Sequence, residues 1–140
     1  MIRLLLLITG FAFVLACPLI AQDTKGETKA TVDLFGSLDD ETLMNESPPS
    51  SVIASTKAWE KLAKAWGIQN PARVDFDKEI LVLATTRGSR LNLSTRLDDQ
   101  GDLKIVAIST RDLRPGFRYA IKSVSKEGVK TVNGQPLLKE

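Results

Sequence analysis

Three short clusters hold the residues best suited to bind or react. The densest is Arg111-Asp112-Leu113-Arg114-Pro115-Gly116-Phe117-Arg118-Tyr119, three arginines and two aromatics around a Pro-Gly turn. Guanidinium forks match carboxylates and phosphates, and aromatic faces add stacking surface. Arg111, Arg114, Phe117, Arg118 and Tyr119 are therefore the candidate binding residues, for a partner's carboxylates, phosphates or sugars. The competing reading places Phe117 and Tyr119 in the core and pairs the arginines with Asp112 and an acidic N-terminal arm.

Asp75-Phe76-Asp77 is the second cluster. If the chain is extended there, both carboxylates point to one face, as general acid/base work would require. The blander expectation is a solvated entry into the apolar strand that follows. The third cluster, Asp98-Asp99-Gln100-Gly101-Asp102, has carboxylates for a hard cation but not the spacing of an EF-hand loop. Hairpin turns favour the same residues, and a turn is expected.

Absences narrow the chemistry. The chain has no histidine and a single cysteine, Cys17. Ser-His-Asp and Cys-His catalysis and the usual zinc and haem ligand sets are thereby excluded. Neither GxGxxG nor GxxxxGK[ST] occurs, so no nucleotide site is signalled and no cofactor is expected.

The elements that must position these residues follow from hydropathy. Val32–Leu38 suits a first strand, followed by an acidic loop from Asp39 to Ser51 containing Pro48-Pro49. That loop is long for a compact domain, hence either mobile or functional. Val52-Ile53-Ala54 leads into the clearest helix, with Ser55 or Thr56 as cap. Ala58, Trp59, Leu62, Ala63 and Trp66 recur on one face, and Lys57, Glu60, Lys61 and Lys64 on the other. Gly67 is the expected C-terminal stop. Ile80-Leu81-Val82-Leu83-Ala84 is a continuous apolar run, the mark of a strand buried on both faces. Leu91–Leu97 alternates with period 2, turns at Asp98–Asp102 and returns as Leu103–Ile108. Strands at Phe117–Lys122 and Val129–Val132 follow, then an Asn133-Gly134 turn. The expected fold is α+β, a mostly antiparallel sheet of five to seven short strands with one amphipathic helix packed on one face.

Ahead of this domain the chain reads as an export signal. Arg3 precedes an apolar run to Cys17, and the next charge is Asp23. Ala21 offers a small residue for cleavage, which would leave residues 22–31 as a polar tether and 32–140 as a single domain. Phe13-Val14-Leu15-Ala16-Cys17 resembles a lipobox, so a cut before Cys17 with lipidation of that cysteine is the alternative. A third is an uncleaved anchor, since the run to Ile20 reaches the roughly 17–25 residues that a membrane helix needs. All three imply export to the periplasm, cell envelope or medium. Cys17 is the one cysteine of the chain, so no internal disulfide can form and packing alone must stabilise the domain.

The net charge of +2 hides an asymmetry. Residues 22–56 carry seven acids against Lys25 and Lys29, and residues 85–130 carry ten bases against five acids. Either the two regions neutralise each other or the basic one forms an anion-binding face. Nucleic acid is not the expected partner of an exported, nearly neutral chain.

Val52-Ile53-Ala54-Ser55, Trp59-Glu60-Lys61-Leu62 and Val74-Asp75-Phe76-Asp77-Lys78-Glu79-Ile80-Leu81-Val82 together resemble the PrcB-like family, named for an accessory subunit that stabilises a surface protease complex. The resemblance covers residues 50–90. It implies a short strand, a helix carrying a tryptophan and a hydrophobic strand entered through Val74-Asp75-Phe76, and it suggests a protease complex as partner. The segment from Pro115 to Leu137 is similar to small exported proteins of planctomycete-type bacteria. The matching residues are core formers, so the resemblance carries over no binding site. The expected activity is non-catalytic binding of a protein partner in the envelope. The alternatives are a binding module for an anionic glycan or small molecule and, third, a carboxylate hydrolase using Asp75 and Asp77.

Overall fold

The apolar run at 80–84 becomes the middle of a central strand buried on both faces. A computed structural model describes residues 31–137 and shows where each face goes. The chain order is β1 (Asp33–Leu38), a 3₁₀ helix (Glu41–Glu46), β2 (Val52–Ile53), α1 (Thr56–Ala65), β3 (Glu79–Thr86), β4 (Leu91–Leu97), β5 (Asp102–Ser109), β6 (Phe117–Ser125), β7 (Thr131–Val132) and β8 (Gln135–Pro136). The expectations for residues 1–21, Cys17 among them, and for the tether up to residue 30 lie outside the described residues.

The fold is α+β. Its strands number eight rather than five to seven, because β8 is a two-residue pairing with β7 beyond the Asn133-Gly134 turn, too short for periodicity to register. They form two four-stranded sheets, ordered β1-β6-β3-β2 and β4-β5-β7-β8. Every pairing is antiparallel except the short one between β5 and β7.

Alternation along β3 sends its side chains into two cores. Leu81 and Leu83 meet Trp59, Leu62, Ala63 and Trp66 of the helical layer, together with Phe117 and Ile121 of β6. Ile80, Val82 and Ala84 meet Leu93 of β4, Leu103 of β5 and Val132 of β7. The helix covers one face of the first sheet, and the second sheet covers the other. An unbroken apolar strand is what a central layer between two covers requires.

Helix α1 begins and ends as its sequence dictates. The Ser55 hydroxyl accepts the Ala58 amide at 3.3 Å, satisfying one of the orphan donors of the first turn. Gly67, at φ +64°, takes the left-handed position after the last turn. The Ile68 amide then reaches back to the Ala63 carbonyl at 2.9 Å, closing a Schellman motif whose Ile68 packs on the core.

The 39–51 segment is built into the fold. Asp40 caps the 3₁₀ helix through the Thr42 amide at 2.9 Å. Leu43 and Met44 pack on the helical core, and the Leu43 carbonyl accepts the Trp66 indole N–H at 2.9 Å. Two apolar anchors among the acids are enough to hold a segment whose composition suggests a loop.

Candidate functional site

Period-2 alternation divides the most distinctive cluster between two faces. Phe117 is fully buried and meets Trp66 edge-on at 5.5 Å between ring centroids. Tyr119, half-buried on the same side, is tilted against Trp66 at 4.9 Å. Burial pushes its phenol pKa up. Arg118, between them, points to the opposite face and lines a cleft.

The arginines before the strand have other duties. Arg114 pairs with Asp112 at 3.3 Å, and its amide donates to the Arg87 carbonyl at 3.0 Å. Asp112 accepts the Ser89 amide at 3.0 Å. Hydrogen bonds from Thr110, Ser89 and Arg114 hold its carboxyl well below the usual range. Arg111 is exposed on the same loop. Arg87 pairs with Glu41 at 2.8 Å, so part of the acidic arm does neutralise part of the basic region. The candidate set is thus divided: Phe117 lies in the helical core, Arg111 and Arg114 on a surface loop, and Arg118 in the cleft, while Tyr119 packs on the helical core and also lines the cleft.

The cleft has a volume of about 600 Å³ and opens between the exposed end of the β4–β5 hairpin and the β1–β6 edge of the first sheet. One wall carries Phe35, Gly36 and Arg118, and the facing wall carries Arg90, Leu91 and Ile108. Phe35 is 56% exposed and Ile108 65% exposed, both high for large apolar side chains. Arg118 donates to the Pro115 carbonyl at 3.4 Å. Among the described residues the arginine–carboxylate pairs are Arg87–Glu41 and Arg114–Asp112, so neither Arg90 nor Arg118 has a carboxylate partner. Two unneutralised guanidinium groups beside exposed apolar side chains suit an anionic ligand with an apolar portion. Phe35, Arg90 and Ile108 escape sequence reasoning because each lies on a different, remote segment. Their signal was weak: a large apolar residue on an edge strand, and one arginine among many.

The carboxylate clusters are structural. Asp75 accepts the Asp77 amide through its side chain at 3.1 Å, and its carbonyl accepts Lys78 and Glu79. With Lys78 also pairing at 3.2 Å, its carboxyl lies below its ordinary pKa. The segment is a turn at the entry to β3, so the two carboxylates do not stand side by side on an extended strand. Asp98 closes the β4–β5 turn by accepting the Gln100 and Asp102 amides. Asp102, nearly buried, accepts Thr131 Oγ1 at 2.7 Å and the Gly134 amide at 2.9 Å, and pairs with Lys104. These bonds tie β5 to the β7–β8 hairpin. No group of three acidic, histidine or cysteine residues placed to hold a metal occurs among the described residues.

No family model matches the chain, and no curated protein or solved structure does either.

Proposed function

We propose that this is an exported, non-catalytic domain that binds a protein partner of the cell envelope through the cleft between its two sheets. The observation that carries this reading is the pair Arg90 and Arg118, which have no carboxylate partner among the described residues and line the same cleft as exposed Phe35 and Ile108. An interface with arginine and aromatic anchors at its centre has the composition of a binding hot spot. Of the two carboxylates that a hydrolase would need, Asp75 is engaged by the Asp77 amide of its own turn and by Lys78. Export rests on the Arg3–Ala21 pattern, and the partner class on the resemblance to the PrcB-like family across residues 50–90.

The test is quantitative capture of partners from envelope extract by the exported protein, compared with the Arg90→Ala/Arg118→Ala double variant. The double variant should recover at least tenfold less of any specific partner while melting at the wild-type temperature. Equal recovery by both proteins overturns the reading. Retention of an anionic oligosaccharide in place of any protein, lost in the double variant, would move the cleft to the glycan class.

A further inference from the structure

The free edge of β1 borders the same cleft, and its backbone is oriented to accept another strand. The Ser123 amide donates to the Val32 carbonyl at 2.9 Å, and the register continues without a bulge from Asp33–Lys122 to Leu38–Phe117. Antiparallel pairing alternates the direction of backbone groups. Val32, Leu34, Gly36 and Leu38 therefore turn their amides and carbonyls toward β6. Asp33, Phe35 and Ser37 turn theirs outward, where β1 is the last strand of its sheet. Among the described residues no strand pairs with them.

Edges of this kind are normally guarded by lysine, proline, a bulge or an inward charge. Along β1 the one charge is Asp33, at the start of the strand, where it pairs with Lys122 at 3.7 Å. From Phe35 to Leu38 the edge has no such guard. Phe35 and Gly36 also line the cleft, and Arg118 lies directly opposite Ser37 on β6. A strand added along β1 would project every second side chain onto the face of Phe35, toward Arg118 and Arg90. Its other side chains would lie along the flanks of Leu34 and Leu38, half-buried on the helical side.

The geometry points to β-strand addition: β1 accepts an extended segment of a protein partner that carries carboxylates at alternate positions for Arg118 and Arg90 and apolar residues between them. Backbone bonds supply affinity in this mode and alternate side chains supply specificity. The inference rests on the cleft being a partner-binding site and deepens that reading by naming how the partner lies in it.

The probe is a capped octapeptide of alternating glutamate and valine, titrated against the exported protein by fluorescence anisotropy. Two controls are its alternating lysine–valine counterpart and a version N-methylated at every second amide. Because the Ser37 amide points outward, Ser37→Pro removes an edge donor without breaking a bond to β6, and Ser37→Ala retains that donor. Ser37→Pro and N-methylation should each weaken binding at least tenfold. Ser37→Ala should leave it unchanged, and the lysine peptide should not bind. If Ser37→Pro and the N-methylated peptide both bind like their parents, or if the glutamate peptide does not bind at all, strand addition is overturned. Loss of partner capture in Arg90→Ala/Arg118→Ala would then still support the cleft. Loss in neither assay overturns both.

Discussion

Gly36 lies beneath the ring of Tyr119: a Cβ at position 36 would fall 2.4 Å from both Cζ and Oη of the tyrosine. The two residues are cross-strand neighbours on β1 and β6. The ring that covers the glycine is also tilted against Trp66 of the helical layer at 4.9 Å. An aromatic laid over an edge glycine restores the packing that the missing side chain would have supplied. Strand β1, the proposed docking edge, is thus fixed to the core by a contact that uses no side chain of its own.

Substituting Gly36 should displace Tyr119. Gly36→Ala is expected to destabilise the domain by about 1–3 kcal/mol, the usual range for overpacking a close contact. The check is a urea double-mutant cycle with Tyr119→Ala. The two substitutions should be strongly non-additive, since the alanine methyl no longer clashes once the ring is gone. Additive losses would mean that the ring does not hold the glycine.

The tryptophan that supports Tyr119 also holds the acidic segment. Trp66→Phe preserves most of the apolar contact but leaves the Leu43 carbonyl without its indole donor. A partly buried acceptor left unpaired costs about 1 kcal/mol, the low end of the penalty for a buried one. The loss should be concentrated at residues 41–46, seen as faster amide exchange there than in β3. Uniform acceleration across the domain would contradict this assignment.

How much of this was legible in the sequence depends on the range of the interaction. The face, cap and glycine stop of α1 are set by neighbours within a few residues, and periodicity displays them. The double-sided burial of β3 is likewise written in five consecutive apolar residues. The Asp39–Ser51 segment reads as a loop because its two anchors, Leu43 and Met44, are outnumbered by polar residues, and the indole that binds the Leu43 carbonyl comes from Trp66, just after α1. The cleft is less legible still. Alternation already separates Arg118 from Phe117 and Tyr119, but only the long-range register brings Phe35 to β6 and Arg90 to the facing wall.

The separation of the Arg111–Tyr119 cluster has its own consequence. Phe117→Ala should cost about 3–5 kcal/mol, as removal of a fully buried aromatic does. Any effect of that variant on binding should follow its unfolded fraction. Arg111→Ala, on an exposed loop, should change stability by less than about 0.5 kcal/mol. Arg118→Ala should weaken partner capture at unchanged stability. Chemical denaturation of all three, run beside the capture assay, separates core from site. A stable Phe117→Ala protein that had lost binding would return Phe117 to the binding set.

Asp102 should give the domain a specific acid sensitivity. Its pKa falls from the ordinary 3.8 to about 2, first because Lys104 pairs with the carboxylate and then because Gly134 and Thr131 donate to it. A carboxyl with a lowered folded-state pKa contributes stability that is complete above its unfolded value. That contribution is lost as pH falls through the folded value, which sets a window from about pH 4 down to about 2. Asp102→Asn keeps an oxygen for Thr131 and Gly134 but gives up the pairing with Lys104. The variant should be less stable than wild type at pH 7, and the gap should close toward pH 2, where the wild-type carboxyl is itself neutral. Asp40 and Asp75, whose pKa values are also lowered, act equally in both proteins and cancel in the difference. Urea midpoints measured at steps from pH 7 to pH 2.5 supply the comparison. A gap that stays constant across that range would show that Asp102 contributes through shape alone, and that the tie between β5 and the β7–β8 hairpin does not depend on its charge.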